Sequence, residues 1–139
     1  MKIINQKITF NTKGSSDLIN ITDTLSKVLS DTAFQIGNMT IFVSGSTAGI
    51  TTLEYEPGLI KDVREFYETL VPSNRRYHHD DTWGDANGFS HIRATLTGQS
   101  LTIPFEDGKL LLGTWQQVVL AEFDNRPRTR EITIQIIGE

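Results

Sequence analysis

Residues 129–137 (TREITIQII) place Ile132, Ile134 and Ile136 on one parity and Thr133 and Gln135 on the other. Successive side chains leave a pleated backbone on opposite sides, so a period of two marks a strand with one wet face and one buried face. Residues 3–10 (IINQKITF) repeat the pattern, setting Ile4, Ile8 and Phe10 against Asn5, Lys7 and Thr9. A chain that begins and ends on half-buried strands must cover their apolar faces with another sheet or with helices. Further strands are predicted at 17–20, 39–43, 50–55, 100–104, 110–112 and 116–123, the last alternating less cleanly. Glu106-Asp107-Gly108 supplies a hairpin turn. Three helices are predicted between these strands. The first has Thr22 as its N-cap and buries Ile21, Leu25, Val28 and Leu29. The second, 59–70, lies between Pro57 and Pro72 and carries Leu59, Ile60, Val63, Phe66, Tyr67 and Leu70 on one face. The third is capped by Asn87, ends before Gly98 and carries a Phe89, Ile92, Leu96 stripe. The expectation is an α+β fold on mainly antiparallel sheet.

At 139 residues the chain fits a single compact domain, 1–139, since domains commonly run about 100–150 residues. It has no cysteine, which excludes disulfides and thiolate metal sites and leaves imidazole and oxygen as the ligands for any metal. No apolar run approaches the roughly 20 residues of a bilayer span, and the amino terminus mixes Asn, Gln and Lys among its apolar residues, unlike a secretory leader. A soluble, cytoplasmic protein with no membrane partner is expected. The formal charge is −4 with both signs interspersed, and no basic stripe with interleaved aromatics points to nucleic acid. Arg75-Arg76 and the Arg126, Arg128, Arg130 run either hold a phosphate or solvate a turn.

All three histidines, His78, His79 and His91, fall within 77–98 (YHHDDTWGDANGFSHIRATLTG). Imidazole titrates near neutral pH and binds divalent metals, so His79 and His91 are candidates for acid–base or ligand roles. Their spacing of 12 residues is no recognised metal signature. His91 projects from a helix side bearing the small residues Gly88, Ala94 and Thr95, where another backbone, a ligand or a second subunit can approach. The loop at 44–49 (SGSTAG) either cradles an anion with the Ser46 and Thr47 hydroxyls and neighbouring amides or merely connects two strands. It lacks the Gly-Lys-Ser/Thr ending of a nucleotide-binding loop. Glu54 either points toward the face that the site lines or is exposed at a strand end.

Three sets of residues carry a family resemblance: His79, Asp80, Asn87, Gly88 and His91; the string Leu112-Gly-Thr-Trp-Gln116; and Glu122-Phe-Asp124 followed by Arg128 and Arg130. With STAGITTLEYEPG at 46–58 they resemble the YjbQ-like family, whose members are described as secondary thiamine-phosphate synthase enzymes, along essentially the whole chain. The resemblance implies a β-sandwich-like sheet arrangement, a homotrimer, and a histidine site near subunit contacts. The implied secondary activity joins a pyrimidine diphosphate to a thiazole phosphate and releases pyrophosphate. The reading assigns His79, His91 and Glu54 to catalysis, His79 and His91 to a divalent metal (Mg or Zn), and Ser46, Thr47, Asn87, Gln116 and Arg128 to a phosphorylated small-molecule substrate. The alternative is a non-catalytic trimeric module that binds a metal or a phosphorylated metabolite. Many relatives carry a histidine just before the Thr-Ala pair, where this chain has Gly45-Ser46.

Overall fold

The computed structural model covers residues 1–139. In chain order its elements are β1 (Lys2–Asn11), β2 (Asp17–Asn20), α1 (Thr22–Ser30), β3 (Ile36–Val43), β4 (Ala48–Leu53), α2 (Pro57–Leu70), α3 (Asp80–Trp83), α4 (Gly88–Thr97), β5 (Ser100–Glu106), β6 (Lys109–Leu110), β7 (Gln117–Glu122) and β8 (Thr129–Gly138). A five-stranded sheet, β1-β8-β3-β5-β6, faces a three-stranded one, β2-β7-β4, and every pairing is antiparallel. This is the expected α+β class.

The register explains why the alternation is so regular. Ile4 lies opposite Ile136 and Ile8 opposite Ile132, while Met39, Ile41 and Val43 lie opposite Ile136, Ile134 and Ile132. A one-residue slip would turn this whole apolar set to water. The set packs against Ala48, Ile50, Val118 and Leu120 of the smaller sheet and Ile21, Leu25, Val28 and Leu29 around α1. Each such side chain, fully buried, contributes about 1.5–3 kcal/mol. The other face of the smaller sheet carries Leu18, Val119 and Ala121, which with Phe123 meet Ala94 of α4 and the partly buried Ile60, Val63 and Tyr67 of α2. β7 is therefore covered on both faces, which is why its sequence does not alternate.

A fourth helix, the short α3 in the histidine loop, joins the three predicted ones, and those three differ in detail from the sequence reading. Thr22 begins α1 as its first helical residue, and its hydroxyl donates to Asn20 Oδ1 (2.7 Å) and accepts the Val118 N–H (2.8 Å) rather than capping. The cap of α2 is Glu56, whose carboxylate accepts from the Gly58 and Leu59 N–H groups (2.8 and 2.7 Å). These bonds hold its carboxyl below the usual range. α4 buries Phe89, Ser90, Arg93 and Ala94, leaving Ile92 and Leu96 exposed. The reason is Arg93: its guanidinium donates to the Val71 carbonyl (2.7 Å) and to Glu68 (2.9 Å), so a charged side chain occupies the inward stripe. No helix is long and apolar enough to cross a membrane.

Candidate functional site

At one end of the smaller sheet the β3–β4 loop meets the β7–β8 connection. Ala48 pairs with Glu122, and the Phe123 N–H donates to the Thr47 carbonyl (2.9 Å). Arg130 enters this corner because it shares the inward parity of Ile132, Ile134 and Ile136. Its side chain is 8% exposed and its partner Glu122 is fully buried. Nε donates to Glu122 Oε2 (2.7 Å), and Nη2 donates to the same carboxylate and to Thr47 Oγ1 (2.6 Å). Glu122 also accepts from the Thr12 hydroxyl (2.7 Å) and the Asp124 N–H (2.9 Å). Arg130 Nη1 makes no hydrogen bond to the protein. It lies against Gly45, where a Cβ would stand 2.7 Å from it, and Gly45 has φ +132°. A side chain there would be strained and would press on a guanidinium already held by Glu122.

Arg128, two residues earlier, binds Asp124 through Nε (2.8 Å) and Nη2 (2.7 Å). Burial pushes the Asp124 carboxyl up, but the Arg128 guanidinium, the Asn125 N–H and the Thr47 hydroxyl outweigh burial and hold it below the usual range. Both arginines are thus fixed by buried carboxylates. Because the two pairs are neutral together, they offer a ligand oriented N–H donors rather than excess positive charge.

The histidines arrive from the other side. The Asp80 carboxylate accepts from the Tyr77 N–H (3.0 Å) and the Gly88 N–H (3.2 Å), tying the loop to the start of α4. The Tyr77 N–H is the largest influence holding its carboxyl below the usual range. Gly88 is small because Tyr77 crosses it, at 2.5 Å from where a Cβ would be. It is therefore the Tyr77 side chain, and not another backbone, that approaches α4 at Gly88. The closure brings the His79 and His91 rings to 4.3 Å between centroids, 41° between planes. Burial lowers the His91 pKa, with the neighbouring His79 adding to the shift and Asp124, Asp85 and the Ser46 carbonyl opposing it. His79 Nδ1 is buried with no hydrogen-bond partner and lies 3.9 Å from Asp85 Oδ1.

His79, His91, Ser46, Thr47, Asn87 and Arg128 all line one cavity of about 400 Å³, together with Gly45, Trp83, Asp85 and Arg130. Thr47 is less free than its sequence suggests, because its hydroxyl accepts from Arg130 and donates to Asp124 (3.1 Å). Asn87 occupies the cap position of α4 without capping it. Its Nδ2 donates to Asp124 (3.5 Å), and its buried Oδ1 has no partner. Glu54 and Gln116 are set apart. Glu54 is exposed beyond Leu53, roughly 20 Å from the Thr47 end at strand rise. Gln116 reaches the same far end, donating to Thr52 Oγ1 (3.2 Å). The residues assigned to the site from sequence omit Arg130, Asp124 and Asp85, although Arg130 belongs to the basic run offered as a phosphate holder. For Arg130 the signal was present, since a charged residue on the parity of three isoleucines requires a buried partner.

The depressed His91 pKa makes stability depend on pH. Between its folded value and the unfolded value near 6.5, the unfolded chain binds more protons. This contribution is therefore complete above about 6.5 and is lost as pH falls through the folded value. In thermal melts from about pH 7.5 to 5.5, His91→Gln is expected to flatten the fall in midpoint; a slope equal to wild type would refute that origin.

The family model described as UPF0047 protein YjbQ-like matches residues 6–139. A UPF0047 protein of Archaeoglobus fulgidus is 36% identical over 131 residues, 94% of this chain and 99% of the relative. One from Methanocaldococcus jannaschii is 38% identical over 134 residues, 96% of this chain and 94% of its own. Among solved structures, a YbjQ-like protein of unknown function from Sulfolobus solfataricus P2 superposes with TM-score 0.93 at 33% identity, covering 99% of both chains. A hypothetical protein from Aeropyrum pernix K1 gives 0.91 at 29% identity, covering 98% of this chain and 99% of its own.

Proposed function

Because this chain belongs to the YjbQ-like UPF0047 family, we propose that it is a phosphometabolite-handling enzyme with a secondary thiamine-phosphate synthase activity, centred on the His79, His91, Arg128 and Arg130 cavity. The observation that carries the phosphate reading is Arg130 Nη1. It is the free end of a guanidinium fixed by buried Glu122, and Arg130 lines a cavity shared with two imidazoles. In the implied reaction the thiazole nitrogen donates its electron pair to the pyrimidine methylene carbon. A C–N bond forms as the C–O bond breaks, and the bonding pair leaves with pyrophosphate. The demand on the protein is to stabilise negative charge as it develops on the leaving group, a task suited to pre-oriented donors. The Arg130 and Arg128 N–H groups meet it, and His91 supplies a proton to a pyrophosphate oxygen.

Of Mg²⁺ and Zn²⁺, it is Zn²⁺ that fits the donors present, because imidazole suits zinc whereas Mg²⁺ takes oxygen ligands. His79 Nδ1 is buried without a partner, and ligand atoms of His79, Asp80 and Asp85 lie within 4.8 Å of one another. The Asp80 oxygens already accept two backbone N–H groups, so His79 and Asp85 would hold the ion. When bound, it would neutralise charge on phosphate oxygens.

The assembly implied by the resemblance is a homotrimer, and the exposed Phe66, Leu96, Leu111 and Trp115 leave apolar surface for such contacts. Purified protein, sedimenting as that oligomer, is expected to release pyrophosphate when given the pyrimidine diphosphate, the thiazole phosphate and Mg²⁺ or Zn²⁺. Absence of release at high enzyme concentration would refute the synthase activity.

A further inference from the structure

His79 and His91 line a second cavity as well, of about 430 Å³, and no other residue is common to the two. The chemistry changes across the imidazole pair. On one side stand Arg128, Arg130 and Asp85; on the other stand Leu70, Val71, Tyr77 and Ile92, together with Arg75 and His78. Tyr77 commits its hydroxyl to the Pro72 carbonyl (2.7 Å) and contributes its ring. The Arg75 guanidinium lies 5.1 Å from the centre of that ring. Leu70 and Ile92 are residues that helical spacing assigns to the buried stripes of α2 and α4, yet they remain 55% and 40% exposed here.

We infer that this cavity is a second subsite of the same active site, taking the uncharged ring of a phosphorylated heteroaromatic substrate whose phosphate enters the arginine cavity. The inference rests on the phosphate reading above. Both cavities are of ligand size, about 300–1,000 Å³, and ligand sites combine apolar walls with a few polar groups that fix orientation. Here those functions are divided between two adjoining spaces, with the imidazole pair between them. The partly wet Leu70 and Ile92 side chains are what a planar ring would cover. Burying such a ring against aliphatic and aromatic surface is expected to strengthen binding by about tenfold or more over phosphate alone.

The test is calorimetry on the full-length protein with two probes, inorganic phosphate and the thiazole phosphate, for wild type, Leu70→Ser and Ile92→Ser. Both positions are already exposed enough for the substitutions to leave the fold intact, which circular dichroism checks. Wild type is expected to prefer the thiazole phosphate about tenfold. Each variant should lose roughly fivefold for that probe while binding inorganic phosphate within about twofold of wild type, as expected when only apolar area is removed. Equal losses for both probes, or no loss for either, would overturn the second subsite. So would a smaller sedimenting species in the variants, which would make this face a contact between copies of the chain. If wild type binds no inorganic phosphate, the phosphate reading itself has failed. Phosphate binding without preference for the ring removes the second subsite alone.

Discussion

Arg130→Met is expected to destabilise the protein by about 3–5 kcal/mol, because it leaves a buried carboxylate without its counter-charge. Glu122 is fully buried and Arg130 nearly so, which places the pair among those that are costly to break. Solvent cannot rescue Glu122, and its remaining donors, the Thr12 hydroxyl and the Asp124 N–H, are neutral. For a chain of this length the change corresponds to a drop of roughly 10–15 °C in the thermal midpoint. The double variant Arg130→Met with Glu122→Gln separates structure from function. The glutamine carbonyl can still accept the Asp124 N–H and its amide can donate to Thr12, so most of the lost stability should return. Phosphate binding should not return, because the Arg130 N–H groups are gone. Recovery of phosphate affinity in the double variant would show that Arg130 only braces the fold. A single variant as stable as wild type would show that Glu122 is not held as an ion.

The large sheet is legible from sequence because one of its faces is wet; the contrast between Ile132, Ile134 and Ile136 and their polar neighbours is a direct image of that geometry. β7 is harder to read because both of its faces are covered, so Val118, Val119, Leu120 and Ala121 carry no period. α4 misleads for a different reason. Arg93 has the composition of a surface residue, and what allows it inside is Glu68, 25 positions away in another helix. The histidine pair is similar. Nothing in a 12-residue spacing foretells contact, which depends on Asp80 reaching the Gly88 N–H and on Gly88 lacking the side chain that Tyr77 would strike. Glu54 and Gln116 looked eligible because sequence does not reveal which end of an antiparallel strand meets which loop. Pairing of Ala48 with Glu122 and of Leu53 with Gln117 settles it, placing the arginine corner at one end and those two residues at the other.

His91→Ala is expected to lower pyrophosphate release by about 10²–10⁴-fold, the usual contribution of a positioned acid or base, while binding of inorganic phosphate changes little. The expected split follows from what each group meets. The arginine donors meet phosphate in the ground state and the growing charge in the transition state, so their loss should raise KM as well as lower kcat. A proton from His91 matters only as charge develops on the departing oxygen, so its loss should lower kcat. Burial and the adjacent His79 hold the His91 pKa below its ordinary value, so the free protein carries a neutral ring at pH 7. Activity that needs the protonated ring should therefore rise in kcat/KM as pH falls from about 8 toward 6, and the bound pyrophosphate group, being anionic, should draw the pKa back up in the complex. His91→Ala should abolish this pH dependence along with the rate. Equal turnover by the variant and wild type would remove His91 from the chemistry, and a variant that keeps kcat but loses phosphate affinity would make it a binding group.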